Sequence, residues 1–150
     1  MNKFFKILIL ILILQACTYE PVHLNKNYNF RFSNINLLGD EQINNSIKDF
    51  LINNSNGNKS YNINLNTTKK REIVTSDSKG DPKIYKILVI LKYQIYQNGK
   101  QINEDQISKQ VTYRSIKDKF ELSQYEDNII KDLSDNISKE ILLAVKIISQ

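Results

Sequence analysis

The chain has one cysteine, one histidine, four glycines and two prolines in 150 residues. Cys17 has no second thiol to pair with, so no internal disulfide can form. His23 has no partner at metal-ligand spacing and no nucleophile beside it to serve as a general base. The few glycines leave no Gly-rich loop to cradle a phosphate. An apolar run of about 20 residues, which a spanning helix needs, is also missing: the greasiest stretch is ILILILIL, Ile7 to Leu14. The acidic pair Asp40-Glu41 reads as helix capping and dipole complementarity, and Asp77 and Asp81 read as turn formers. The expectation is therefore a non-enzyme with no metal and no cofactor.

What the chain does have begins at that short apolar run. Lys3 and Lys6 precede it, and Leu14-Gln15-Ala16-Cys17 follows. A basic start, a short apolar stretch and small residues form the pattern of a cleaved export signal. The junction resembles the lipobox of bacterial lipoproteins, in which the cysteine sulfur takes diacylglycerol, the peptide is cut just before it, and the new amino end is acylated. Residues 1–16 are thus expected to be a lipoprotein signal peptide, with Cys17 the lipidation site. Residues 17–27 would be a lipidated tether, and residues 28–150 a single domain. Several acyl chains on one residue hold a protein stably at a membrane, where one chain holds it only marginally. Thr18 rather than Asp after the cysteine leans, by the sorting habit of such lipoproteins, towards the outer membrane. Export also sets nucleic acid aside as a partner.

Removing 16 residues leaves 134, enough for one domain with a real core, and 19 basic against 16 acidic residues, a net charge of +3. Tyr28, Phe30 and Phe32 alternate as in a half-buried strand. Ile43, Ile47, Phe50 and Leu51 are spaced for an amphipathic helix over 41–53, capped by Asp40 and ended by the turn residues NNSNGNKS. Tyr61, Ile63 and Leu65 predict a second strand that continues past Thr67. Ile87, Val89, Leu91, Tyr93 and Ile95 predict a third, with Leu88 and Ile90 implying a central strand covered on both sides. Asn98-Gly99 is a hairpin turn, and a return strand should carry Ile102, Ile107, Val111 and Tyr113. Ser123 and Glu126 read as a capping box before a long helix striped by Ile129, Leu133, Ile137 and Ile141. The order β-α-β-β-β-α predicts an α+β two-layer sandwich: a four-stranded, mostly antiparallel mixed sheet with two helices on one face.

Three groups of basic residues fall near one predicted end of this sheet: Lys69-Lys70-Arg71, then Lys79 with Lys83 and Lys86, then Arg114, Lys117 and Lys119. A solvated strand surface explains any single lysine. Together they suit a cationic patch for phosphorylated sugar heads, with Arg71 and Arg114 favoured for the bidentate guanidinium fork.

Four stretches carry a resemblance: CTYEPVHL from Cys17; LLGDEQINNSIKDFLINN from Leu37; SKGDPKIYKILVILKYQIY from Ser78, where Gly80 and Tyr85 precede the long strand; and QVTYRSIKDKFELSQYEDNIIKDLSDNISKEIL from Gln110. In this order and at this length they resemble the LPS-assembly lipoprotein LptE family. The resemblance implies a lipid-anchored protein on the periplasmic side of the cell outer membrane. It would plug the β-barrel LptD, help it assemble, and take part in placing lipopolysaccharide in the outer leaflet. No individual binding residue transfers from the family, so Lys69, Lys70, Arg71, Lys79, Arg114, Lys117 and Lys119 are lipopolysaccharide candidates on charge alone. The rival expectation is an auxiliary lipoprotein of an envelope ABC transport system, also small, anchored and α+β.

Overall fold

A computed structural model describes residues 28–149. The expected signal peptide, the tether, Cys17 and His23 lie outside the described residues. The order is β1 (Tyr28–Gly39), α1 (Glu41–Asn54), β2 (Ser55–Ser76), β3 (Pro82–Gln97), β4 (Lys100–Arg114) and α2 (Lys119–Ile148). The four strands form one sheet in the order β1-β2-β3-β4. β1 and β2, joined through α1, pair in parallel, and the other two pairings are antiparallel. This is the expected α+β architecture.

The inward face follows the pleat. On β2 and β3, Tyr61, Ile63, Leu65 and the odd-numbered run Tyr85 to Ile95 are buried beneath Ile43, Ile47 and Leu51 of α1 and Ile129, Leu133, Ile137, Ile141 and Val145 of α2. Residues four apart on each helix thus meet residues two apart on the strands, which is why both periods are readable. In β1 the register shifts between Phe32 and Asn34. The inward set therefore changes phase, from Tyr28, Phe30 and Phe32 to Ile35 and Leu37.

Three local expectations are corrected. Leu88 and Ile90 are only half-buried: among the described residues their face carries no helix, and their cross-strand neighbours are the exposed Lys70, Thr68, Gln110 and Ser108. NNSNGNKS is not a loop. α1 runs to Asn54 and β2 starts at Ser55, with Gly57 packed so close to β1 that a Cβ would collide with the Asn29 carbonyl carbon. Ser123 and Glu126 do not form a cap. α2 begins earlier, at Lys119, where the Asp118 carboxylate accepts the N–H groups of Phe120 and Glu121 at 2.8 and 2.9 Å. Asp118 supplies the capping acceptor upstream of Ser123, so Ser123 already lies inside the helix. The first helical turn is hidden in the sequence because Phe120 faces solvent and Leu122 is only partly buried, so neither extends the buried stripe that begins at Ile129.

The turns follow from their residues. Asn98 and Gly99 both have positive φ, 51° and 78°. Asp77 accepts the N–H groups of Asp81 and Lys79, each at 2.9 Å, and these bonds hold its carboxyl below the usual range. Asp40 caps α1 by accepting the Ile43 N–H at 3.1 Å.

Candidate functional site

At the hairpin end the sheet outruns β1. Gly39 is opposite Thr67, and β2 continues to Ser76. A buried polar knot marks the limit: the Thr67 hydroxyl donates to Asn44 Oδ1 at 2.9 Å, Asn44 donates to the Leu38 carbonyl at 3.1 Å, and the Asp40 N–H reaches the Thr67 carbonyl at 3.3 Å. Gly39 allows this approach. Its φ is +99°, and a Cβ there would overlap the Thr67 carbonyl oxygen.

The three basic groups do gather at this end. The Asp77–Asp81 turn closes β2 and β3, and the connection after Arg114 is tied to it where the Ser115 N–H donates to the Lys83 carbonyl at 2.8 Å. The pleat then divides them between two faces. Lys69 and Arg71 lie opposite Val89 and Ile87, on the helix-covered side; Lys70 lies opposite Leu88, and Arg114 opposite Ile84, on the open side.

The helix-side cations have partners. Lys69 Nζ is 3.1 Å from Asp40 Oδ2. Arg71 Nη2 and Nε lie 2.9 and 3.0 Å from Glu126 Oε1, and its guanidinium sits over the Tyr85 ring, 3.8 Å from the centroid. The Tyr113 hydroxyl donates to the same Glu126 oxygen at 2.6 Å. Tyr85 stacks on Tyr113 at 5.7 Å between centroids, and Tyr113 meets Tyr125 edge-on at 5.8 Å. Burial pulls the Arg71 pKa down, but the contacts with Glu126, Tyr85 and Tyr113 outweigh it and hold the guanidinium above its ordinary value. Burial, helped by the bond to Glu126, pushes the Tyr113 phenol up to about 12. Charge and aromatic faces here replace the aliphatic core of the lower sheet.

On the open side Lys86 is 2.7 Å from Glu72; Lys83, at the start of β3, is 3.3 Å from Asp77 in the turn. Lys70, Lys79, Arg114, Lys117 and Lys119 are exposed and have no ion-pair partner within 4.0 Å among the described residues. Lys79 lies in the Asp77–Asp81 turn, Arg114 beside the start of β3, and Lys117 and Lys119 at the start of α2, while Lys70 lies six residues down β2 from Ser76. Exposed apolar side chains share this end: Ile73 and Phe120 are 56% and 73% exposed.

Sequence reasoning missed the Glu126–Arg71–Tyr113 junction. Its signal was present in the odd positions: Arg71, Tyr85 and Tyr113 share the inward phase, where a charged residue calls for a partner from the covering helix. Among the described residues no three His, Cys, Asp or Glu side chains converge as metal ligands, and no helix is long and apolar enough to cross a membrane.

The open face below the tip is a lattice of amides. Asn36 donates to Asn64 at 2.8 Å, Asn64 to Gln94 at 3.5 Å, and the Tyr96 hydroxyl to Gln94 at 3.0 Å. A shallow groove of about 410 Å³ crosses it, reaching Lys92 and Glu104.

No protein-family profile matches the chain, and no curated protein matches it by sequence. Solved structures do match. Rare lipoprotein B from Shewanella oneidensis superposes with a TM-score of 0.55 at 13% identity, covering 75% of this chain and 92% of that one. A minor lipoprotein from Acinetobacter baumannii gives 0.53 at 17%, covering 78% and 92%. An uncharacterized lipoprotein B from Nitrosomonas europaea gives 0.61 at 10%, covering 82% and 88%. The chain therefore has the fold of these bacterial lipoproteins over most of its length.

Proposed function

We propose that this protein is an outer-membrane lipoprotein of the LptE type, anchored through Cys17, that plugs and helps assemble an LptD β-barrel and takes part in inserting lipopolysaccharide into the outer leaflet. The observation that carries the reading is the fold held in common with bacterial lipoproteins, set behind a lipobox-like junction. The shape is compatible with a plug. A domain of this size has a radius of gyration of about 14 Å, so only a barrel much larger than eight strands encloses it. Barrel lumens are polar, and the amide-covered sheet face offers hydrogen bonds to such a wall while the helix side keeps a private core.

The role is one of binding rather than catalysis. Lys70, Lys79, Arg114, Lys117 and Lys119 are the cations free to meet lipid A phosphates, where they would compete with bridging divalent ions. Lys69 and Arg71 support that end from within.

The test is a pull-down of the tagged, lipidated protein from outer membranes, with mass spectrometry of what accompanies it. A stoichiometric large β-barrel is expected. An inner-membrane ATPase and its substrate-binding protein would overturn the plug and favour the transport-auxiliary role. For the ligand, the Lys70→Glu, Arg114→Glu double variant should weaken lipopolysaccharide binding, most at low salt, and unchanged binding would remove the tip from the site.

A further inference from the structure

β2 has a bare edge. From Thr68 to Ile73 it pairs in regular register with β3 on one side, with register shifts beyond Ile73, while on the other β1 has already ended at Gly39. The Thr67 carbonyl accepts the Asp40 N–H, so its backbone groups point to the β1 side. Strand alternation sends the groups of Lys69, Arg71 and Ile73 the same way. Three N–H and three C=O groups thus stand in a row at intervals of about 6.7 Å, with no hydrogen-bond partner among the described residues. Such a row is a template for another strand.

Lysines on an edge commonly guard it against pairing, and Lys69-Lys70-Arg71 has that appearance. The guard is selective, however. Lys69 and Arg71 are neutralised on the helix side by Asp40 and Glu126. On the open side Glu72 is neutralised by Lys86, which leaves Lys70 as the uncompensated charge along the row. Lys70 repels a cationic strand, including a second copy of this edge, and attracts an acidic one. On the helix side the row ends at the exposed Ile73.

We propose that the Lys69–Ile73 edge of β2 is a strand-addition site for an extended segment of another protein. Its side chains alternate: acidic on the open side beside Lys70, apolar on the helix side beside Ile73. The inference goes beyond the plug reading and does not depend on it, because it specifies the chemistry of the guest segment rather than its source.

The test uses the mature chain and two synthetic eight-residue peptides, one alternating Val and Glu, the other Val and Lys. Binding is read by fluorescence anisotropy, and the edge by amide hydrogen exchange. The Val–Glu peptide should slow exchange at Lys69, Arg71 and Ile73 by about tenfold or more. The amides of Lys70 and Glu72, already bonded to β3, should change little. Ile73→Pro deletes one outward N–H, a substitution that edge strands tolerate. It should keep the melting temperature and weaken the peptide by about tenfold. Lys70→Glu leaves the backbone intact and should switch preference to the Val–Lys peptide. Absence of protection at the three amides with either peptide overturns the site. So does wild-type binding by both variants. A concentration-dependent dimer in sedimentation that itself protects these amides overturns the guest in favour of a second copy.

Discussion

β2 is two strands in one. From Tyr61 to Thr67 it lies between β1 and β3, and its inward residues are almost wholly buried. From Thr68 to Ser76 it keeps β3 but loses β1, and its inward residues are Lys69, Arg71 and Ile73. The pleat and the facing strand are the same; only the cover differs. Where cover is complete, apolar volume holds the layers together. Where it thins, ion pairs and stacked tyrosines take over, and the residues beyond them are free to meet a partner.

The sharpest way to break this comparison is to make the same change in both halves. Ile63→Ala should destabilise the protein by about 2–5 kcal/mol, through lost burial and the cavity left behind, whereas Ile73→Ala should cost under about 0.5 kcal/mol. Chemical denaturation of the two variants compares them directly, and equal losses would mean that the outer half is packed after all.

Next in size is the boundary between the halves. Gly39→Ala forces a Cβ onto the Thr67 carbonyl at a φ of +99°. It should cost about 2 kcal/mol or more, since left-handed backbone alone costs an L-residue roughly 1–2 kcal/mol. The same denaturation curves measure it.

A smaller effect tests the junction. Glu126→Ala strands two donors, the Arg71 guanidinium and the Tyr113 hydroxyl, and should cost about 1–2 kcal/mol. Arg71→Ala leaves the carboxylate bonded to Tyr113 and should cost less, about 1 kcal/mol or below. A reversed order would show that the stacking of Arg71 on Tyr85 matters more than the shared acceptor.

The smallest effect is a pH dependence. The Tyr113 phenol is raised from 10.0 to about 12 in the fold. A raised acid favours the neutral form, so this contribution is fully present below pH 10 and is lost as pH climbs towards 12. Tyr113→Phe should flatten the alkaline decline in stability over that window. Absorbance of tyrosinate should show one phenol fewer ionising at the alkaline end.

Much of this was legible in the chain. Ile43, Ile47 and Leu51 could only be a helix stripe, and Ile87 to Ile95 only a strand, because each period matches one backbone geometry. Asp40, Asp77 and Asn98-Gly99 announced a cap and two turns through chemistry local to a few residues. The basic groups were correctly expected at one end. Their division between two faces was implicit in the alternation, but their neutralisation was not, because Asp40 and Glu126 come from elements distant in sequence. Glu126 was misread because a local cap and a long-range ion pair draw on the same carboxylate, and sequence spacing favours the local use. Leu88 and Ile90 were misread because an apolar residue on a strand does not say whether anything covers it.

The sequence by itself determined the helical period of Ile43, Ile47 and Leu51, the strand period of Ile87 to Ile95, and the cap and turns at Asp40, Asp77 and Asn98-Gly99, since these depend on neighbours within a few residues. The tertiary structure decided where β1 stops against β2, which cations find acids, and which face stays open. Those outcomes turn on contacts between residues such as Arg71 and Glu126, far apart in the chain and joined only once the layers have packed.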